Sequence, residues 1–82
     1  MIEVLYFAWV RERIGVPREK LETAAETVAE LVAELRLREP RYEAAFADIS
    51  ALRVALDQQL ASFDAQLAGV REVAFFPPMT GG

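Results

Sequence analysis

One amphipathic stripe, set among short apolar runs of a different period, constrains this chain more than any other feature. Val28, Leu31, Val32 and Leu35 fall at i, i+3, i+4 and i+7, while Glu30, Glu34 and Arg38 lie mostly off that stripe. The spacing predicts one helix about three turns long with a single apolar face. Thr27-Val28-Ala29-Glu30 is a capping box, in which the Thr side chain and the Glu three residues later satisfy amides left open at a helix start. The helix should end before Pro40, because the residue before a proline is pushed out of the helical region. An 82-residue chain holds one domain and one core. A lone long helix must therefore bury its face against a sheet.

The remaining segments supply that sheet. Ile2–Phe7 is a β-branched and aromatic run, expected as a buried strand. Ala8–Ile14 predicts a short helix closed by Gly15 in a left-handed C-cap, and Pro17 forbids continuation. Glu19–Thr23 is expected as a second strand, its charge marking an exposed edge. Tyr42, Ala45, Phe46 and Ile49 have the spacing of a second short helix. From Ala51 the period becomes two: Leu52, Val54 and Leu56 alternate with Arg53, Ala55 and Asp57. Asp57–Gln59 then turns into a short strand at Leu60–Phe63. Gly69 provides a positive-φ turn before a last strand, Glu72–Phe76. The expected class is α+β, a mixed sheet with one main helix packed on it and the first and last strands as its central pair.

Composition narrows the chemistry. Hydrophobic residues make up 54% and charged ones 27%, with no cysteine and no histidine. That removes disulfides, thiolate and imidazole metal ligands, and nucleophiles or triads built on either residue. The net charge of −4 argues against nucleic acid, which needs clustered Lys and Arg, and favours a basic protein partner. No secretory leader pattern opens the chain and no 18-residue apolar run occurs, so a cytoplasmic protein without membrane contact is expected. Arg11, Glu12 and Arg13 are read as a solvated helix face, and Trp9 as either core edge or interface. Glu19, Glu22, Glu26, Glu30 and Glu34 are read as surface charges, too dispersed for a metal site. No bound metal is expected.

The end of the chain carries the strongest functional signal. After Phe76, Pro77 and Pro78 lack amide protons, so the last strand cannot continue as a paired one. They also stiffen the exit in a polyproline-like direction. The six residues beyond Phe76 reach about 20 Å when extended, against a domain radius of gyration of about 12 Å. The division expected is a domain over 1–76 and a flexible tail over 77–82. Gly81 and Gly82 have no Cβ and pass a channel too narrow for other residues. A carboxylate at Gly82 is ionised at neutral pH and must be activated before it reacts, most simply as an acyl-adenylate formed with ATP. Without cysteine, that terminus is the one place where the chain can carry sulfur covalently.

The strings Ile2-Glu3-Val4-Leu5-Tyr6-Phe7-Ala8, Val10-Arg11-Glu12, Ser62-Phe63-Asp64 and Glu72-Val73-Ala74-Phe75-Phe76-Pro77-Pro78-Met79-Thr80-Gly81-Gly82 resemble the family of small, sulfur-carrying subunits of molybdopterin synthase. The last string is highly specific, whereas the middle helices match only in pattern. Asp57 departs from the family pattern, which has asparagine there, and this puts any special role of that turn in doubt. The resemblance implies a ubiquitin-like β-grasp fold. It implies that Gly82 is adenylated by an enzyme of the ubiquitin-activating kind and converted to a thiocarboxylate by a sulfurtransferase. The tail then donates sulfur to cyclic pyranopterin monophosphate inside the large synthase subunit, in a heterotetramer. ATP is consumed by the activating enzyme, and no cofactor is expected on this chain. Pro77, Pro78, Met79, Thr80 and Gly81 are expected to thread the partner. Pattern alone leaves Phe7 and Phe76 open to a core position or a docking patch with Leu60 as a candidate third member; the resemblance favours the docking patch. The competing readings are a carrier for thiamine thiazole or tRNA thiolation and a non-carrier β-grasp interaction module. An independent enzyme is the weakest, for want of histidine, cysteine or a glycine-rich phosphate loop.

Overall fold

The computed structural model describes residues 1–78; Met79, Thr80, Gly81 and Gly82 lie outside the described residues. In chain order the elements are β1 (Ile2–Tyr6), α1 (Ala8–Ile14), β2 (Arg18–Leu21), α2 (Val28–Arg36), α3 (Pro40–Ala45), a 3-10 turn (Ile49–Ala51), β3 (Arg53–Leu56), β4 (Gln59–Ala61) and β5 (Glu72–Phe76). The five strands form one sheet in the order β2-β1-β5-β3-β4. The two most apolar strands are therefore neighbours at its centre, as the sequence predicts. They run parallel, with Val4 opposite Val73 and Tyr6 opposite Phe75, while the other pairs are antiparallel.

One face of the sheet is covered by the helices. Ile2, Val4, Tyr6, Val54, Val73 and Phe75 point into a core completed by Val28, Leu31, Val32 and Leu35 of α2, Val10 and Ile14 of α1, and Tyr42, Ala45 and Phe46 of α3. Phe75 is the hub. The Phe46 ring meets it edge-on at 4.9 Å, and the Tyr6 and Phe63 rings lie near-parallel at 6.4 Å. Such contacts add to the area each ring buries.

Local chemistry explains the element ends. The Thr27 hydroxyl accepts from the Glu30 amide at 3.2 Å, and the Phe63 and Ala65 carbonyls accept from the Ala29 and Val28 amides. The start of α2 is thus satisfied from two directions. Gly15 closes α1 at φ 96°, and Gly69 turns at φ 78°. β2 lies earlier than the expected Glu19–Thr23 because Tyr6 already donates to the Pro17 carbonyl, and the Thr23 hydroxyl accepts from the Ala25 amide, turning the chain away. β4 likewise starts earlier than Leu60. Asp57 and Gln58 both have positive φ, 49° and 71°, and make a two-residue hairpin that pairs Leu56 directly with Gln59. The second short helix ends at Ala45, and Ile49 lies exposed in the 3-10 turn that the Asp48 side chain starts by accepting from the Ser50 amide.

Glu19 is not the plain surface charge expected. Its position opposite Val4 turns it toward the helices, where it is half-buried. Tyr6 and Tyr42 donate their hydroxyls to its Oε2 at 2.8 and 2.6 Å, and Arg38 lies 4.0 Å from Oε1. Arg41 donates to the Ile14 carbonyl at 2.7 Å, tying α3 to the end of α1. Burial, then the hydrogen bond and charge of Glu19, raises the pKa of both tyrosines above the ordinary value. The folded state therefore holds these protons more tightly than the unfolded chain does. Their contribution to stability is full below the unfolded tyrosine value and is lost as pH rises past it. The thermal midpoint should fall between about pH 9 and about pH 11, and a Tyr6→Phe/Tyr42→Phe variant should show a shallower fall over that range. Midpoints measured by circular dichroism across this range check it.

Candidate functional site

Among the described residues, the opposite face of the sheet carries no helix. Alternation along β5 sends Val73 and Phe75 into the core and Glu72, Ala74 and Phe76 outward. The register extends this across the strands. Arg18, Leu5, Ala74, Ala55 and Leu60 form one row, and Lys20, Glu3 and Glu72 a second. Phe76 stands opposite Arg53, and Phe7 follows Tyr6, the partner of Phe75.

Phe7, Ala8, Ala74, Phe76 and Pro77 enclose an open, almost wholly apolar hollow of about 400 Å³ at the point where β5 ends. Phe7 is 46% exposed and Phe76 half-buried, so neither belongs to the core. Two backbone features hold this corner. The Phe7 amide donates to the Phe75 carbonyl at 3.1 Å, and Ala8 adopts φ 53°. That left-handed conformation costs a residue with a Cβ about 1–2 kcal/mol, and it turns the chain sharply from β1 into α1 beside the hollow. Sequence reasoning named Phe7, Phe76 and Pro77 but not the small floor residues Ala8 and Ala74, whose lack of bulk leaves the space open. Leu60 shares the open face and is 73% exposed. It lies on β4, separated from Phe76 by β3, and does not line the hollow. Pro78 is half-buried.

At the other end of β5, Asp57 answers the doubt about its turn. Asp57 Oδ1 accepts from the Arg71 and Glu72 amides at 3.1 and 3.0 Å, and its own amide donates to the Glu72 carbonyl at 2.9 Å. The β3–β4 turn therefore clamps the start of β5. Only one carboxyl oxygen does this work, and the amide oxygen of asparagine offers the same acceptor. Trp9 packs against the core edge, with the Arg13 guanidinium 4.7 Å above its ring. Among the described residues no helix is long and apolar enough to cross a membrane.

A five-stranded mixed sheet grasping one main helix, with a parallel central pair and a last strand that runs out beside an open apolar face, is a ubiquitin-like β-grasp protein. Two crystal structures share this fold. SAMP1 from Haloferax volcanii superposes with a TM-score of 0.77 at 23% identity, covering 99% of this chain and 98% of that one. A second structure, H. volcanii small archaeal modifier protein 1, gives 0.76 at 21% identity, covering 95% and 97%. The chain belongs to the ThiS family, which it matches over residues 4–82. It is 42% identical to the molybdopterin synthase sulfur carrier subunit of Escherichia coli (strain K12) and 39% identical to that of Haemophilus influenzae, over 100% of both chains in each case.

Substitutions should separate the clamp from the face. Asp57→Asn should leave stability within about 0.5 kcal/mol, while Asp57→Ala, which orphans two amides, should cost about 2 kcal/mol. Phe75→Ala should cost about 3–5 kcal/mol, and Phe7→Ala far less. Urea unfolding of the four variants measures all of these.

Proposed function

We propose that this chain is the sulfur carrier subunit of a molybdopterin synthase. The observation that carries the proposal is its likeness, over the whole of both chains, to two relatives of that name. The geometry supports it. β5 is paired on both sides and clamped at its start by Asp57. The residues that follow therefore leave from a fixed point beside the apolar hollow. A partner seated on the open face receives the tail in a defined direction.

Gly82 carries the chemistry. Its carboxylate oxygen attacks the α-phosphorus of ATP in an adenylyltransferase of the ubiquitin-activating kind, and pyrophosphate leaves. A sulfurtransferase then supplies sulfur at the oxidation level of sulfide. The carbon–sulfur bond forms, AMP departs, and a thiocarboxylate remains. Inside the large synthase subunit this sulfur bonds to a side-chain carbon of cyclic pyranopterin monophosphate as that carbon's oxygen substituent leaves, and water cleaves the acyl–sulfur bond to restore the carboxylate. Two such rounds yield the dithiolene. This chain contributes reach and access rather than a pocket. Residues 77–82 act as the tail of domain 1–76, with Pro77 and Pro78 directing it, Met79 and Thr80 threading the partner, and Gly81 passing its narrowest point. The docking patch is Phe7 and Phe76 with Leu60 at its margin. The assembly is a heterotetramer working in the cytoplasm.

Incubation with ATP, the activating enzyme and a sulfur donor should replace one terminal oxygen by sulfur, read by intact mass. A chain lacking Gly82 should stay unmodified, and absence of exchange in the full chain would sink the carrier reading. The thiocarboxylate form, given the large subunit and the pterin precursor, should yield molybdopterin; failure there would point to a carrier of another pathway. Phe76→Ala should weaken binding to the large subunit by about 30-fold while moving the thermal midpoint little.

A further inference from the structure

Beside Phe76 the open face carries a charge that no ion pair among the described residues answers. Arg53 stands directly opposite Phe76 in the antiparallel β3–β5 pair, which puts their Cβ atoms about 5 Å apart on one face. It is exposed. Among the described residues its one side-chain hydrogen bond runs from Nη1 to the carbonyl of its own neighbour Leu52, at 3.0 Å. None of the ion pairs among the described residues includes it. Elsewhere on this face Glu3 lies 3.5 Å from Arg18, while Lys20 and Glu72, away from Phe76, make no ion pair among the described residues.

A surface that covers Phe76 also strips water from a guanidinium this near. Burying an unpaired charge is strongly unfavourable, so a tight partner must offer Arg53 an acceptor. A neutral carbonyl accepts hydrogen bonds but leaves the charge uncompensated. A carboxylate does both, and its two oxygens match the planar fork of N–H donors. The chain as a whole carries net charge −4, so long-range attraction draws it to basic surfaces. Arg53 is a local exception at the base of the tail. It tests the docked register rather than overall charge.

We infer that Arg53 is a specificity-determining docking residue: the partner surface that covers the open face sets a carboxylate against its guanidinium, beside the seat of Phe76. The inference rests on the docking role proposed above for that face. A partner presenting a cation or an apolar group at this point is rejected, because it leaves the guanidinium repelled or unpaired once dry. The pair also fixes how the partner sits around Phe76, and so where the tail enters it.

The test measures the Kd of the full chain for the large subunit of molybdopterin synthase by calorimetry, for wild type, Arg53→Ala, Arg53→Lys, Arg53→Glu and Phe76→Ala. Arg53→Ala should weaken binding by about 30-fold, the loss seen when one member of a desolvated charge pair is removed. Arg53→Lys should recover part of that loss, and Arg53→Glu should bind more weakly than Arg53→Ala. Exchanging the facing partner carboxylate for lysine should restore binding to Arg53→Glu alone. Thermal midpoints should stay within a few degrees of wild type, since Arg53 is exposed and joins no ion pair among the described residues. Wild-type affinity in all Arg53 variants, with Phe76→Ala impaired, overturns this inference and leaves the docking face standing. Wild-type affinity in Phe76→Ala as well overturns the docking face and the inference with it.

Discussion

The parallel pairing of β1 with β5 is the constraint on which the rest depends. It joins the two ends of the domain at the centre of the sheet, so every other element is arranged around a contact that is the most distant in sequence. Its register also separates fold from function within a single dipeptide. Phe75 enters the core and gathers Tyr6, Phe46 and Phe63 around it, while Phe76, one residue later, faces outward beside the hollow. A slip of one position would exchange the two faces. The Asp57 clamp at the start of β5 and the Phe7–Phe75 bond at its end hold the strand at both ends against that slip. The same fixation that builds the core therefore sets the point where Pro77 and Pro78 leave the sheet.

Much of this was legible in the sequence because the responsible signals are local. The capping box at Thr27–Glu30, the left-handed closure at Gly15 and the alternation of Leu52, Val54 and Leu56 each depend on neighbours a few residues away. Apolar β1 and β5 declared themselves central by composition alone. What escaped depends on contacts distant in sequence. Glu19 reads as one acid among several along Glu19–Glu34, and only its cross-strand position opposite Val4 shows that it faces two tyrosines. Asp57 reads as a departure from pattern until Arg71 and Glu72 are seen to approach its side chain. Ala8 and Ala74 shape the hollow by what they lack, and a small side chain announces nothing in a sequence. Ile49 misled because a helical period over four residues does not reveal that the helix has already stopped at Ala45.

The Glu19 cluster shows how so small a domain fastens its edge. β2 is an outer strand of four residues, and its pairing with β1 alone is a weak hold. Placing a carboxylate on its inner face puts an ionisable group at the core boundary. That is tolerable because the Tyr6 and Tyr42 hydroxyls both donate to it. In return, β1, β2 and α3 are joined through one oxygen atom. The arrangement demands specific partners, as an apolar contact does not, and so it fixes how α3 sits against the sheet.

The open face resolves a conflict between binding and solubility. A carrier needs an apolar surface for its partner, yet a free carrier exposes that surface to every other chain. Two adjustments appear in the register. The middle of the face is built from Ala74 and Ala55, which keep it flat and limit its apolar area, and the aromatic rings are confined to the corner where β5 ends. Charged residues bound it: Arg18, Lys20, Glu3 and Glu72 toward the far side, and Arg53 beside Phe76. A charge next to an aromatic anchor keeps the anchor hydrated in the free chain and admits only a surface that answers the charge. On the docking role proposed for this face, selectivity comes from the residue that must be desolvated, and affinity from the ring beside it. Because the two are cross-strand neighbours, any partner that takes the ring must also satisfy the charge.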